Sequence, residues 1–207
     1  DRAALIGCGV TTGLGAALNT AKVRPGESAA VIGCGGVGLS ALQGCRIAGA
    51  SRILAVDNQA WKLDLAKELG ATDVVNSSDG DAVMKVMELT GGGVEYSFEA
   101  LGLKKTSEQA FQMLRTSGVA TIIGMVPEGE MLEIHGADLL SDKRLQGSNM
   151  GSNHFRRDMP RFVEFYLDGK LKLDDMISRR IRLDQINEAF DEMKQGELAR
   201  SVITFDH

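Results

Sequence analysis

The sequence predicts a doubly wound α/β fold: a six-stranded parallel sheet of order 3-2-1-4-5-6, covered by helices on both faces, with a C-terminal α/β extension. Three observations predict it. Short apolar runs alternate strictly with amphipathic stretches from about residue 28 to residue 150, the rhythm of strand–helix–strand crossover units. Six such runs can be counted, which suits that order. The first, "SAAVIG", passes straight into "CGGVGLSA", where glycines that weaken both strands and helices need a separate reason.

The elements follow in order. "SAAVIG" (28–33), entered through the turn "RPGE", reads as a buried strand. A helix runs to about Ala48 and closes at Gly49. "RILAVD" (52–57) is the second strand, and "QAWKLDLAKELG" is an amphipathic helix with Trp61, Leu65 and Leu69 at helical spacing. "TDVVN" is a third strand, "GDAVMKVMELTGGG" a helix with its exit turn, and "VEYSFEALG" a fourth strand. "SEQAFQMLRTSG" is read as a helix and "VATIIGM" as the fifth strand; an irregular stretch, 127–143, precedes the sixth, "RLQGSNM". Beyond residue 150 the rhythm changes. "HFRRDMPRFVEFYLDG" reads as a helix and "MISRRIRL" as extended chain. "DQINEAFDEMKQG" is a helix with Asp184 as N-cap and Gly196 as its stop, and "RSVITF" is a final strand.

Composition narrows the function. The 207 residues are 43% hydrophobic, enough for a substantial core, with a formal net charge of -5 from 23 basic and 28 acidic residues. The most basic spot, "FRRDMPRF", reads as a solvated helix face, and no basic stripe of the kind nucleic-acid binders carry is present. No apolar stretch is expected to reach the roughly 18 residues of a membrane span, and no signal peptide is seen. Three cysteines, Cys8, Cys34 and Cys45, are too few for a disulfide framework, so a cytosolic protein is expected. The chain opens without an initiator Met and is expected to be a piece of a longer protein.

Gly33, Gly35 and Gly38 satisfy G-x-G-x-x-G, with Gly36 an extra glycine and Val37 within the loop. The spacing alone is a weak signal; placed between a strand and a helix it is the dinucleotide (Rossmann) fingerprint. Gly33 permits the tight turn, Gly35 the approach of a pyrophosphate, and Gly38 the packing of helix on sheet. The helix N-terminus offers free N–H groups and partial positive charge to the anion. Asp57 ends the second strand 19 residues after Gly38. Its carboxylate can accept from both hydroxyls of an adenosine ribose and would repel a 2′-phosphate, which favours NAD over NADP; it can equally cap the next helix. Lys62 reads as a ribose-edge contact or a plain solvated lysine. S-adenosylmethionine is a rival ligand, but Val31 and Ile32 stand where its binders usually carry an acid.

"GCGVTTGLGAALNTAKVRPG", "GCGGVGLSA", "VDNQAWKLDLAKELGATD", "GGGVEYSFEALG" and "INEAFDEMKQGELARSVITF" run in order along nearly the whole chain. Together they resemble the zinc-dependent medium-chain alcohol dehydrogenases, closest to the glutathione-dependent formaldehyde dehydrogenase (class III) branch. The resemblance implies that residues 1–9 are a remnant of the junction with a preceding catalytic domain, that 10–149 form the coenzyme domain, and that 150–207 return to the catalytic domain. It implies that Cys8 is one ligand of a catalytic zinc, that Thr12 lies beside the nicotinamide ring, and that Gly33, Gly35, Gly36, Val37 and Gly38 hold the pyrophosphate. Asp57 and Lys62 would contact the ribose, Arg200 would pair with the pyrophosphate, and Gly124, Met125 and Val126 would meet the nicotinamide end. Two departures are Cys34, where the family often has leucine or isoleucine, and the polar pair Asn58–Gln59 where it often has an aliphatic residue.

In the family the zinc acts as a Lewis acid on the alcohol oxygen, and hydride passes to the nicotinamide. His135, His154 and His207 show no ligand spacing with Cys8 or with one another, and no C-x₂-C cluster exists for a structural zinc. Cys8 read without the resemblance is a small buried residue before a turn; Cys34 and Cys45 read as packing residues. The expected partner is a small alcohol, aldehyde or hydroxymethyl–thiol adduct. In the family a strand from the region of "GEMLEIHGADLL" pairs with its twin across a two-fold axis and continues the sheet, so the resemblance implies a homo-oligomer; the segment can also be an ordinary surface loop. The rival readings are a non-catalytic nucleotide-sensing module and a quinone-reductase-like relative without zinc.

Overall fold

The computed structural model describes residues 1–195 and 199–205. The six parallel strands are β1 (Ser28–Ile32), β2 (Arg52–Asp57), β3 (Asp73–Asn76), β4 (Val94–Glu99), β5 (Leu114–Ile122) and β6 (Arg144–Gly147), in the order β3-β2-β1-β4-β5-β6 that the sequence predicts. The pleat explains the continuous apolar runs. Ala29 and Val31 of β1, with Ile53 and Ala55 of β2, join the core on one face; Ala30, Ile32, Leu54 and Val56 join the core on the other. A strand buried on both sides has no polar face to alternate with.

A helix that the sequence does not announce precedes the sheet: α1, Arg2–Ala21, with widened π-type turns at Ile6–Val10 and Ala16–Ala21. Gly7, Gly9, Gly13 and Gly15 disguise it, because glycine is a poor helix former. Three of them are there for close approach. A Cβ on Gly13 would lie 2.5 Å from Ser40 Cβ and 2.6 Å from the Ala41 nitrogen of the facing helix; one on Gly15 would lie 2.8 Å from Gly151 Cα; Gly9 faces Arg200. The helix is long and apolar enough for a membrane span by length and composition, which corrects the expectation that no stretch is. Its Val10, Leu14, Ala16 and Ala17 are buried in the core with α2.

Helix α2 (Gly36–Ile47), with Cys45 buried in it, packs on α1 and leads to β2. Helix α3 (Ala60–Leu69) buries Leu63, Ala66 and Leu69. The predicted stripe is therefore rotated: Leu69 is inside, whereas Trp61 and Leu65 are only half-buried at the flanks. On the opposite face lie α4 (Ala82–Thr90), capped by the Asp81 side chain, and α5 (Lys104–Gln112). The reading of 107–118 as helix is corrected here. The helix starts and stops earlier, and Leu114 already pairs with Val94 in the sheet. The pairing is irregular up to Tyr96–Val119, and Ser117 takes φ +62 in that irregular stretch. Tertiary pairing overrides a helical spacing that the sequence carries past Gln112.

The tail contributes α6 (Phe155–Leu167), β7 (Arg179–Ile181), α7 (Ile186–Gln195) and β8 (Ser201–Ile203), with β7 and β8 parallel in a small second sheet. Asp184 is not the N-cap of α7. It sits within a short 3₁₀ turn, Leu183–Gln185, and pairs with Arg182 at 3.2 Å. Gly196, expected to stop α7, and His207 lie outside the described residues. Phe162, Leu171, Leu173 and Met176 join the same core cluster as α1 and α2. The Gln43 side chain of α2 is held by both main-chain groups of Lys172, at 2.8 and 3.2 Å.

The α1–α2 contact yields a prediction. Gly13→Val forces a side chain into the α2 backbone and should lower unfolding stability by about 3 kcal/mol. Gly7→Ala, at an exposed helical position with nothing within 4 Å, should leave it unchanged or raise it by about 1 kcal/mol. Urea denaturation of the two variants checks the contrast; equal midpoints would show that the helices do not pack through Gly13.

Candidate cofactor site at the carboxyl ends of the strands

β1 lies between β2 and β4, with α2 and α3 on one face of the sheet and α4 and α5 on the other. Order reverses between β1 and β4, and ligands of open α/β sheets bind beyond the carboxyl ends of the strands at such a switch point. A cavity of about 840 Å³ lined by Lys22, Arg24, Tyr96, Arg115 and Arg144 lies at the opposite, amino end of the strands and is not part of this site.

The glycine loop has the geometry its spacing implies. Gly33 turns the chain with φ +92, and its N–H donates to the Val56 carbonyl at 2.8 Å. A Cβ on Gly38 would run into the Gly33 carbonyl group, 2.9 Å from its carbon, so only glycine lets α2 start this close to β1. Gly35 is the N-cap of α2, extended at φ -81, and no side chain caps the helix. A Cβ there would meet nothing within 4 Å. The amino end of α2 is therefore open, and its first N–H groups point out of the helix with partial positive charge.

Arg200 comes to the same place from the tail. Its guanidinium lies against Gly36 and Gly9, with Cζ 2.9 Å from where a Gly36 Cβ would be. Any side chain at either glycine would displace it. Arg179, Arg180 and Arg182 each pair with a carboxylate; Arg200 makes no such pair among the described residues. A guanidinium and a helix amino end thus converge, two positive poles side by side, with Gly35 unobstructed next to them.

Asp57, 7% exposed, sits across the loop at the end of β2. Its Oδ2 accepts the Cys34 N–H at 2.7 Å and its Oδ1 the Gln59 N–H at 3.0 Å. The carboxylate thus helps to start α3, and it fixes the glycine loop as well. Each oxygen keeps a lone pair. Lys62 is half-buried with its ammonium 5.5 Å from the Trp61 ring centre. Cys34 is fully buried, and burial, then the Asp57 charge, push its thiol pKa up. It is an inert packing residue, as is Cys45.

Cys8 and Thr12 lie one helical turn apart on α1, on one face. Cys8 is exposed, not buried as its residue type alone suggests, and Thr12 is half-buried with Oγ1 3.7 Å from Met150 Sδ. On the adjoining positions Gly13 seats α1 on α2 and Gly9 faces Arg200. Among the described residues no three His, Cys, Asp or Glu side chains cluster as a metal site. His135 pairs with Asp138 at 3.7 Å, and His154 donates its main-chain N–H to Asp158.

Gly124 follows β5, and its N–H donates to the Glu99 carbonyl at 3.0 Å. Met125 is 92% exposed and Val126 half-buried. Beside them stands a residue that motif reading passed over. Glu99 is a fully buried carboxylate at the end of β4. The available signal was a charge closing an apolar strand, "SFEALG", the same signal that marks Asp57.

The comparisons with known proteins fall in line with this geometry. The zinc-binding dehydrogenase family matches residues 36–168. The chain is 39% identical over 99% of its length to alcohol dehydrogenase class-P from Arabidopsis thaliana, of which it covers 55%. It superposes on benzyl alcohol dehydrogenase from Acinetobacter calcoaceticus with a TM-score of 0.94 at 35% identity, over 97% of this chain and 56% of that one. A zinc-binding dehydrogenase from Sinorhizobium meliloti 1021, solved bound to NADP, gives 0.82 at 31% identity, over 96% and 57%. The chain spans about half the length of these relatives. With its sheet order, its glycine loop and most of its length accounted for by that likeness, the chain belongs to the zinc-binding dehydrogenase family.

Proposed function

We propose that this chain binds a nicotinamide dinucleotide, NAD in preference to NADP, as the coenzyme-binding part of a zinc-dependent alcohol dehydrogenase. The observation that carries this reading is the convergence of the open amino end of α2 and the Arg200 guanidinium at Gly36, beside the unobstructed Gly35. Two like poles held together in a crevice are stabilised by an anion between them, and a pyrophosphate fits that role. Asp57 supports the choice of NAD, since its carboxylate favours a ribose diol and opposes a 2′-phosphate. The NADP-bound relative makes that choice a point to test.

The bound nicotinamide supplies the carbon that accepts or donates hydride. The chain supplies the holding. Gly35 lets the pyrophosphate reach the α2 amides, Arg200 closes over it, and Asp57 with Lys62 fixes the adenosine ribose. Thr12 and the Gly124–Val126 backbone border the nicotinamide end. The described residues do not by themselves fit a zinc centre, which needs three protein ligands. Cys8 is one thiol, and in this reading the other ligands come from the half of its relatives' length that this chain does not span. The substrates of the whole protein would be primary alcohols, as the names of its relatives suggest, or hydroxymethyl–thiol adducts if it belongs to the class III branch. The segment 129–140, which precedes the edge strand β6, exposes Met131 and Leu140; we read it as the face through which two copies extend the sheet. Three free thiols suit a reducing cytosol.

Fluorescence titration should show NADH binding about tenfold tighter than NADPH, the cost of setting a 2′-phosphate beside Asp57; equal or reversed affinities would remove the case for NAD. Gly35→Val should leave unfolding stability within about 0.5 kcal/mol while weakening NADH at least about tenfold by blocking the pyrophosphate. Unchanged affinity would show that the phosphates lie elsewhere. The purified chain should carry far less than one zinc per molecule and turn over no alcohol, because it offers one ligand of the three required. Stoichiometric tight zinc by atomic absorption, or measurable turnover, would overturn that assignment.

A further inference from the structure

Two strands flank β1, and each ends in a buried carboxylate that holds main-chain amides: Asp57 on β2 and Glu99 on β4. Asp57 serves the adenosine side of the crevice. Glu99 stands on the other side of the switch point, and its contacts are as specific. Its Oε1 accepts the N–H groups of Leu101 at 2.9 Å and Gly102 at 2.8 Å and the Thr106 hydroxyl at 2.7 Å. Its Oε2 is buried with no partner among the described residues. That oxygen looks at Gly124, where a Cβ would lie 2.6 Å from it. A buried carboxylate oxygen without a donor is uncommon in folded proteins and calls for a reason.

The segments Glu99 gathers are the ones that wall the crevice. Ile123 and Gly124 donate their N–H groups to the Glu99 carbonyl at 2.8 and 3.0 Å, so its main chain ties the exit of β5 to β4. Gly102, at φ +82, abuts Met125, whose carbonyl carbon would be 2.8 Å from a Cβ on that glycine. Leu101 Cγ would be 2.7 Å from a Cβ on Gly33, the first glycine of the phosphate loop. One residue therefore sets the 101–102 turn, the 123–125 exit and their contact with the loop.

We propose that Glu99 is a positioning residue for the nicotinamide half of the dinucleotide. Its carboxylate clamps the 101–102 turn against Gly124 and Met125, so that the main-chain groups there are already in place when the ligand arrives. This rests on the cofactor reading above. Glu99 touches no ligand itself and acts through the turn. Removing the carboxylate frees three donors and lets the wall move, which weakens only the part of the ligand that touches it.

The test compares NADH with ADP-ribose, which keeps the adenosine and pyrophosphate and lacks the nicotinamide. Glu99→Ala should weaken NADH about tenfold, the loss expected when hydrogen bonds to a charged group disappear, while ADP-ribose stays within about twofold. Glu99→Gln keeps an acceptor at the turn and should recover most of the loss. Amide hydrogen exchange at Leu101 and Gly102 should rise in the alanine variant and return in the glutamine variant. If Glu99→Ala does not fold, Thr106→Val, which removes one of the three donors, should give the same split in smaller measure. Equal loss of both ligands would reduce Glu99 to a structural part, and no loss of either would also overturn the proposal. Failure of the unmodified protein to bind NADH and ADP-ribose would instead overturn the cofactor reading.

Discussion

The structure depends on two bare positions, Gly36 and Gly38, in the first turn of α2. Because Gly36 and Gly38 are bare, and Gly13 on α1 as well, three neighbours come close to the start of α2 at once: the guanidinium of Arg200 at Gly36, the carbonyl of Gly33 at Gly38, and the body of α1 at Gly13. Each of these approaches would be blocked by a single methyl group. The helix end they leave open is the positive pole of a macrodipole, so the same bareness that allows the packing also makes an anion site. Fold and function here have one cause.

Around that turn the acids do unusual work for charged groups. Asp57 and Glu99 are nearly or fully buried, and among the described residues neither is paired with a basic side chain. Backbone N–H groups bind both Asp57 oxygens and Oε1 of Glu99, while Oε2 of Glu99 stays without a donor among the described residues; aligned N–H groups offset the desolvation of a carboxylate. The result is a pair of struts, one on each side of β1, that convert flexible strand-to-helix turns into fixed walls. Binding to fixed walls requires less ordering at the moment of association.

The core was legible because its period is simple. Runs such as Ala29–Ile32 and Ile53–Val56 are apolar at every position, and only a strand covered on both faces requires that. The glycine loop and Asp57 were legible because spacing and context agreed. Helix α1 was hidden for the same reason the loop was visible: glycine density has two meanings, a turn or a close contact, and only the partner across the contact distinguishes them. Glu99 was hidden because a strand-end acid looks like any solvated boundary residue until the turn that wraps it is seen. The end of α5 was misplaced because Leu114 suits a helix locally and is claimed by Val94 across the sheet.

By itself the sequence determined the alternation of strand and helix, the order of the sheet, and the glycine turn that opens the first crossover helix, since these follow from local period and from glycine stereochemistry. Tertiary structure alone decided that Arg200, far along the chain, closes over Gly36, and that Gly9 and Gly13 bring α1 against Arg200 and α2. It also decided that one buried carboxylate serves each side of the crevice. Those choices depend on which surfaces meet, and the meeting of surfaces is set by burial and close approach between distant segments, which no local pattern records.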